Sequence, residues 1–175
     1  MSKVVARFEK VSIHEFVEAC VKAGISDREY ARAMYDNIKL PERSTKRSSG
    51  YDFFYPDTLS TYITRGKSKL IPTGIRCVFL EDGYDLSLYP RSGLGFKYRV
   101  HLDNTVGIID NDFSEADNEG HIMVKLSCDP RNGRGITIHP GDRFVQGIIR
   151  EFFLAESDDE VEKKDRTGGM GSTGN

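Results

Sequence analysis

The stretch YPRSGLGFKYRVHLDNTVGIIDNDF, residues 89–113, decides how this chain folds and what kind of ligand it can hold. Apolar runs typical of β-strands alternate in it with arginines, a hydroxyl group, glycines, an amide and carboxylates. Polar groups at the ends of rigid strands are held in fixed positions, as binding and catalytic sites require. We therefore expect this stretch to form a site for a phosphorylated ligand, with the rest of the chain as its support or lid.

Short apolar runs continue outward from this stretch. They extend from about Leu40 to Phe153, and turn signals such as Asn132-Gly133 separate them. The clearest run is HIMVKLS, residues 121–127, in which apolar and polar residues alternate so that one face is buried. Many short strands without helices between them predict a mainly β protein, which is a sandwich, a jelly roll or a small barrel.

The N-terminal part follows a different period. After an opening strand, residues 13–37 predict a helical hairpin. Each helix begins at the Ser-x-x-Glu pattern of a capping box, Ser12 with Glu15 and Ser26 with Glu29. Because the apolar stripes of these helices are narrow, we interpret the hairpin as an insertion that packs on the main body or on a partner.

Length and composition restrict the class of protein. The 175 residues suit one compact domain with a short appendage. With 25 basic and 27 acidic residues, no overall field favours nucleic acid or an anionic membrane. The sequence has no apolar run of membrane-spanning length and no signal-peptide pattern, and its three cysteines match no metal-ligand spacing. We predict a cytoplasmic protein in which the cysteines are small apolar residues.

Two groups of residues could carry chemistry. Arg91, Ser92 and Gly93 follow a predicted strand and offer a bidentate cation, a hydroxyl donor and an open N–H, which together suit phosphate oxygens. Asp110 ends an apolar run, where a carboxylate could act as a general base toward water. Each group also has a simpler interpretation, as a turn and as the cap of a hairpin. The four histidines show no zinc or triad spacing, and we expect them at surface or strand positions.

The composition changes sharply after Phe153. Residues 1–154 form the predicted β domain, residues 155–165 a charged flexible linker, and residues 166–175 a Gly-rich segment. Such a segment is either a disordered tail or a lid over a phosphorylated ligand. The lid is a possible role because glycine lets backbone N–H groups approach phosphates closely. Composition alone leaves both interpretations open.

Taken in order, five segments of the chain resemble the five motifs of the trimeric dUTP diphosphatase (dUTPase) family. The segments are residues 49–53, 90–95, 104–113, 141–146 and 166–174. Five ordered motifs are far more specific than any one of them. The resemblance, strongest to a bacterial and bacteriophage branch, implies a jelly-roll-like or distorted β-barrel subunit, with the helical hairpin as an addition. It also implies a homotrimer with shared active sites.

The resemblance further implies hydrolysis of dUTP to dUMP and pyrophosphate, with Mg²⁺ held through the triphosphate and water rather than directly by the protein. Asp110 is implied as the base that activates water for attack on the α-phosphorus, assisted by Gln146 and Asp52. The residues implied to bind phosphates are Arg91, Ser92, Gly93, Arg166, Gly171, Ser172 and Thr173. The residues implied to hold uracil and deoxyribose are Asn104, Gly107, Ile108, Ile109, Phe113 and Met170. Phe113 replaces the family's usual tyrosine, and Met170 its usual aromatic residue.

Two other functions stay open on the sequence. dCTP deaminase shares the fold and the Arg-Ser phosphate motif, but its catalytic glutamate corresponds to Lys125 here. A regulatory protein that captures a partner such as a repressor would use the helical hairpin or the added residues 114–119. Such a role is compatible with catalysis.

Overall fold

The fold is that of a computed structural model, which describes residues 3–131, 133–163 and 168. Asn132 of the predicted turn lies outside them. The strands are β1 (Ala6–Lys10), β2 (Glu42–Arg43), β3 (Tyr51–Phe54), β4 (Thr61–Ile63), β5 (Ser68–Pro72), β6 (Ile75–Phe79), β7 (Tyr84–Pro90), β8 (Val100–Leu102), β9 (Gly107–Ile109), β10 (Met123–Cys128), β11 (Ile136–Ile138) and β12 (Arg143–Glu151). The helices are α1 (Ile13–Lys22), α2 (Arg28–Asp36) and α3 (Ser92–Tyr98), with two 3₁₀-helices, Asn111–Glu115 and Asp158–Glu160.

The strands form four antiparallel sheets. The largest has the order β2-β3-β12-β7-β9, and a three-stranded sheet has the order β5-β10-β8. β1 pairs with β6, and β4 pairs with β11. The mainly β class is confirmed, but within the described part of the chain no sheet closes into a barrel.

Alternating side chains place the core between these sheets. In β10, Val124 and Leu126 are buried while Lys125 between them is exposed, as the predicted two-residue period requires. β12 adds the fully buried Phe144 and Val145 to the same apolar cluster. One contiguous core therefore supports every sheet, which fits a chain of this size.

The two N-terminal helices belong to that core. Phe16 and Cys20 of α1 and Met34 of α2 are buried in the cluster that the strands form. Deleting residues 13–37 would therefore open the core. The predicted partner-binding role of these helices stays a prediction, and it has to be tested by substitutions on their exposed faces rather than by deletion.

Glu119 caps the first helix from a distant part of the chain. The Ser12 hydroxyl accepts from the backbone N–H of Glu15 at 3.1 Å, as the capping box predicts. The reciprocal bond comes from Glu119, whose carboxylate accepts from the Ser12 N–H at 2.7 Å and from the Ser12 hydroxyl at 2.6 Å. Glu15 instead contacts Nδ1 of His121 at 3.2 Å. These bonds tie α1 to the added residues 114–119 and to the residues after them.

Two local predictions are wrong. α2 is capped by Asp27 rather than Ser26, because the Asp27 carboxylate accepts from two backbone N–H groups at 3.0 Å each. His121 was expected at the surface or in a strand, but it is 0% exposed and precedes β10, and its Nε2 accepts from the backbone N–H of Gly74 at 2.9 Å. Both residues are placed by hydrogen bonds to backbone groups that need partners.

We expect Glu119→Gln to lower the free energy of unfolding by about 1 kcal/mol, because it weakens a charged cap. Burial raises the pKa of the Glu119 carboxyl group, but the bonds from Ser12 outweigh burial and the pKa lies below its usual value. The folded-state pKa is thus depressed. Its contribution to stability is present above the unfolded-state pKa and is lost as the pH falls through the folded-state pKa.

Urea unfolding of the wild type and the Glu119→Gln variant at neutral and acidic pH measures this contribution. Asp117→Asn is a matched control, since Asp117 is an exposed carboxylate in the same segment. The proposed cap would be contradicted if both variants lost the same free energy of unfolding. It would also be contradicted if the loss in Glu119→Gln persisted at acidic pH.

The cysteines are packed side chains, as predicted. Cys20, Cys77 and Cys128 are all buried thiols, and burial raises the pKa of Cys77 to about 12. The Cys77 thiol is inert, because at this pKa its thiolate does not form at neutral pH. Among the helices that the structure describes, none has the length and apolar character needed to cross a membrane.

Candidate active site

Neighbouring strands of the five-stranded sheet bring predicted catalytic residues together. Gln146 in β12 lies opposite Asp52 in β3 on one side and Tyr89 in β7 on the other. Directly opposed residues in antiparallel strands project from one face, so Asp52 and Gln146 share a face. A Cβ atom at Gly50 would come within 2.7 Å of the Gln146 side-chain oxygen. Glycine at this position therefore leaves room for the Gln146 amide.

Asp52 is a buried carboxylate that holds two arginines. Its side chain is 2% exposed, and it accepts hydrogen bonds from Arg91 and, at 3.4 Å, from Arg143. Ser44 donates to the same carboxylate at 2.5 Å and accepts from Arg143 at 2.9 Å. A buried carboxylate needs such partners because an unpaired buried charge is costly. Two guanidinium groups are thus fixed against one carboxylate, which leaves positive charge for an anionic ligand.

Arg91 also marks the start of α3. It occupies the N-cap position, and Ser92 and Gly93 form the exposed beginning of the helix. The first backbone N–H groups of a helix have no partner within it and favour anions. An open cavity of about 330 Å³ lies beside them, and Arg91, Gly93, Lys97 and Arg143 are among its lining residues. Two of the predicted phosphate-binding residues of the second motif, Arg91 and Gly93, therefore line a cationic cavity, and Ser92 lies between them in the chain.

The predicted base-binding residues of the third motif line a different cavity. Asn104, Gly107, Ile108 and Ile109 lie where the chain passes from β8 in the three-stranded sheet to β9 in the five-stranded sheet. The cavity has a volume of about 230 Å³. A Cβ atom at Gly107 would come within 3.3 Å of Leu88, so glycine keeps the main chain close to the cavity wall.

Asp110 comes directly after Ile109, a residue that lines this cavity. It follows β9, precedes the 3₁₀-helix Asn111–Glu115 and is exposed. With Asp82 and Asp112 it lines another cavity, of about 530 Å³. Ile108 lines both cavities, so the predicted general base and the predicted base-binding residues are neighbours.

The two groups of site residues lie at opposite ends of β7. Leu86 pairs with Ile109, so Asp110 comes opposite Asp85 near the start of β7, whereas Arg91 follows the end of this strand. The step from Asp85 to Arg91 spans about 20 Å at roughly 3.3 Å per residue. The Arg91 and Asp110 side chains of one chain therefore cannot contact the same phosphate group.

Arg143 is a site residue that the sequence analysis missed. The turn before β12 is held by its neighbour Asp142, which accepts from the backbone N–H of His139 at 2.8 Å. Arg143 instead reaches Asp52 across the paired strands β3 and β12. The signal in the sequence was its position inside the fourth motif, residues 141–146, where only Gln146 was predicted as a site residue.

The remaining predicted site residues fall in two places. Phe113 is 3% exposed and packs in the core, and its contact with deoxyribose stays a prediction. The predicted residues of the C-terminal motif lie outside the described residues; they are Arg166, Met170, Gly171, Ser172 and Thr173.

Together these features define a class, an antiparallel β-protein with a cationic site for an anion and a small, mostly apolar cavity. The sequence profile of the dUTPase family matches residues 36–174. The deoxyuridine 5'-triphosphate nucleotidohydrolase of Lactococcus lactis is 41% identical over 140 residues, which cover 78% of this chain and 89% of the relative.

Solved structures show the same fold. The dUTPase from Streptococcus mutans is 33% identical and superposes with a TM-score of 0.57, covering 69% of this chain and 91% of that chain. The dUTPase of Staphylococcus bacteriophage 80alpha is similar in fold alone, with a TM-score of 0.60 at 16% identity over 95% of this chain and 100% of that chain. This chain therefore belongs to the dUTPase family.

Proposed function

We propose that this chain is a dUTP diphosphatase that hydrolyses dUTP to dUMP and pyrophosphate. The observation that carries the proposal is the buried Asp52 carboxylate, which fixes Arg91 and Arg143 beside an open cavity in a chain of the dUTPase family. Guanidinium groups match the oxygens of a phosphate group in geometry and charge. Because their positions are set before the ligand arrives, they cost little reorganisation when it binds.

In the proposed reaction, Asp110 accepts a proton from a water molecule whose oxygen attacks the α-phosphorus. The bond between the α-phosphorus and the bridging oxygen breaks, dUMP keeps the new oxygen, and pyrophosphate leaves with the bridging oxygen. An exposed carboxylate directly after a strand is suited to this role, since water can reach it and the strand fixes the position of its backbone. Gln146 assists at the α-phosphate, and Asp52 acts as a positioning residue for the arginines.

The phosphates and the base are proposed to occupy separate cavities. Ser92 and Gly93 offer a hydroxyl and backbone N–H groups to the phosphates beside Arg91. Asn104 and the main chain of β9 hold the uracil ring, and Phe113 lies under the deoxyribose. The C-terminal residues Arg166, Gly171, Ser172 and Thr173 close over the triphosphate, with Met170 toward the base.

We propose Mg²⁺ as a cofactor that arrives on the triphosphate. Across residues 3–131 and 133–163, no three His, Cys, Asp or Glu side chains are grouped as metal ligands. The side chains that Asp52 presents to the cavity are guanidinium groups, which bind phosphate oxygens and do not ligate cations. This donor set fits a metal held by substrate oxygens and water, which is a usual arrangement for Mg²⁺. When bound, Mg²⁺ supplies positive charge that stabilises the charge developing on the phosphates.

A complete site is proposed to need more than one chain, in a homotrimer. The separation of about 20 Å between the Arg91 and Asp110 positions, at roughly 3.3 Å per residue of strand, supports this proposal. If Asp110 of one subunit faces Arg91 of the next, a closed ring of identical subunits repeats the same site at each contact.

One assay tests the proposed function. The protein is incubated with Mg²⁺ and either dUTP, dTTP, dCTP or UTP in water enriched in oxygen-18, and the products are separated and weighed by mass spectrometry. We expect dUMP and pyrophosphate from dUTP, with the heavy oxygen in dUMP. Label in pyrophosphate would move the attack to the β-phosphorus, and ammonia from dCTP would replace the proposal by deamination. Intact dUTP would overturn it.

A further inference from the structure

We propose that Lys125, anchored by Asp103, selects uracil over cytosine at the base cavity. This inference rests on the proposed function, because it assigns a specificity-determining residue to the same nucleotide site. Neither residue belongs to the five motifs on which the family resemblance depends.

Lys125 is held in place at the middle of the three-stranded sheet. It lies on β10 and pairs with Leu70 of β5, while its backbone carbonyl accepts from the N–H of Asp103 at 3.0 Å. Its ammonium nitrogen lies 2.9 Å from the Asp103 carboxylate. Ser127, two residues further along β10, also donates to Asp103. The carboxylate is thus fixed from two sides, and it holds the ammonium group in turn.

The pair lies at the base cavity rather than on a plain surface. Eleven residues line this cavity, and three of them have polar side chains: Asp103, Asn104 and Lys125. The remaining lining residues are apolar or glycine, as is usual for a small-molecule site with a few orienting groups. The Lys125 side chain keeps 54% of its surface exposed, so a ligand can reach it.

The hydrogen-bonding capacity of the pair differs for the two bases. An ammonium group offers three donors and no acceptor, and one donor is used by Asp103. Uracil carries a carbonyl at C4, which accepts a hydrogen bond from such a group. Cytosine carries an amino group there, which donates and would leave two donors facing each other. Such a mismatch in a site built around hydrogen bonds gives strong discrimination.

The ion pair also limits what Asp103 can offer to cytosine. Burial raises the pKa of the Asp103 carboxyl group, but the bonds from Ser127 and Lys125 outweigh burial and hold the pKa below its usual value. The carboxylate is therefore ionised at neutral pH, and each of its oxygens has a donor. A cytosine amino group would have to share Asp103 with both of these donors.

The test compares selectivity in Lys125→Met with that of the wild type. Both kcat/KM and equilibrium affinity are measured, with dUTP and dCTP for turnover and with dUDP and dCDP for binding by calorimetry. We expect the preference for uracil over cytosine to fall by roughly 10- to 100-fold in both measurements, the size of a lost hydrogen bond to a charged group. Lys125→Arg keeps the donors and should retain most of the preference.

Lys67→Met is the matched control, since Lys67 is an exposed lysine next to β5 and lines neither cavity. An unchanged uracil-to-cytosine ratio in Lys125→Met would overturn the proposal. Lys125→Gln, which keeps a donor and loses the charge, provides a second variant if the first does not fold. A wild type that binds dUDP without hydrolysing dUTP would refute the proposed function, while the affinity ratio would still decide the role of Lys125.

Discussion

Asp110→Asn is expected to lower the turnover number for dUTP by about 10² to 10⁴-fold, the usual contribution of a positioned general base. The affinity for dUTP should change little, because the amide keeps the size of the carboxylate and the phosphate contacts come from other residues. An effect on kcat without an equal effect on binding identifies an interaction that is made only in the transition state.

Because Asp110 is exposed, this variant should test the catalytic role of the carboxylate without a change in the stability of the fold. Asp110 lies at the end of β9 and outside the apolar core, so loss of its charge should leave stability near that of the wild type. Turnover is measured by pyrophosphate release and affinity by calorimetry with a non-hydrolysable dUTP analogue.

Asp82→Asn is the matched control for Asp110→Asn. Asp82 is an exposed carboxylate that lines the same cavity, so its substitution removes the same charge from the same surroundings. It should alter kcat by less than about threefold, since an exposed charge that takes no part in the proton transfer contributes little in a solvated site. Similar losses in the two variants would mean that overall charge, rather than a general base at position 110, governs turnover.

The sequence predicted the parts of the fold that depend on neighbouring residues. The alternation in residues 121–127 appears as β10, although the strand begins only at Met123, and Arg91 to Gly93 follow the end of β7 as expected. α3 was not predicted, because Gly93 and Gly95 each lower helix propensity by about 1 kcal/mol relative to alanine. In the structure Leu94 packs against the core and compensates for this weak local preference.

The bonds that position the site join residues far apart in the chain, and no local pattern encodes them. Arg143 and Asp52 are separated by 91 residues, and Ser12 and Glu119 by 107. For this reason only half of the capping box at Ser12 was predicted correctly. The Ser12 hydroxyl accepts from the Glu15 N–H, but the Ser12 N–H donates to the distant Glu119 carboxylate instead of to Glu15. Charged residues near turns have many possible partners, and only the pairing of the strands selects among them.

Mixing two inactive variants is expected to restore activity. If Arg91 and Asp110 of different subunits meet in one site, Arg91→Gln and Asp110→Asn chains can complement each other. In an oligomer assembled at random from equal amounts, roughly a quarter of the sites receive the intact residue from both subunits. Activity should therefore rise from near zero to roughly a quarter of that of the wild type.

Arg91→Gln suits this experiment because glutamine can still donate a hydrogen bond to Asp52, which also keeps Arg143 and Ser44 as partners. The two variants are unfolded together in urea, refolded as a mixture and assayed with dUTP and Mg²⁺. Variants that are refolded separately and then mixed give the baseline.

A pairing within one chain supplies the decisive control. Arg91 and Arg143 both contact Asp52 of the same chain, so they enter any site together. Arg91→Gln mixed with Arg143→Gln should therefore stay at the level of the parent variants, because every site lacks one of the two arginines. Activity that recovers when Arg91→Gln is mixed with Asp110→Asn, but not when it is mixed with Arg143→Gln, requires a site that is shared between two subunits. Failure of both mixtures, with oligomers confirmed by mass, would mean that one chain brings Arg91 and Asp110 together by a large rearrangement of β7 and β9.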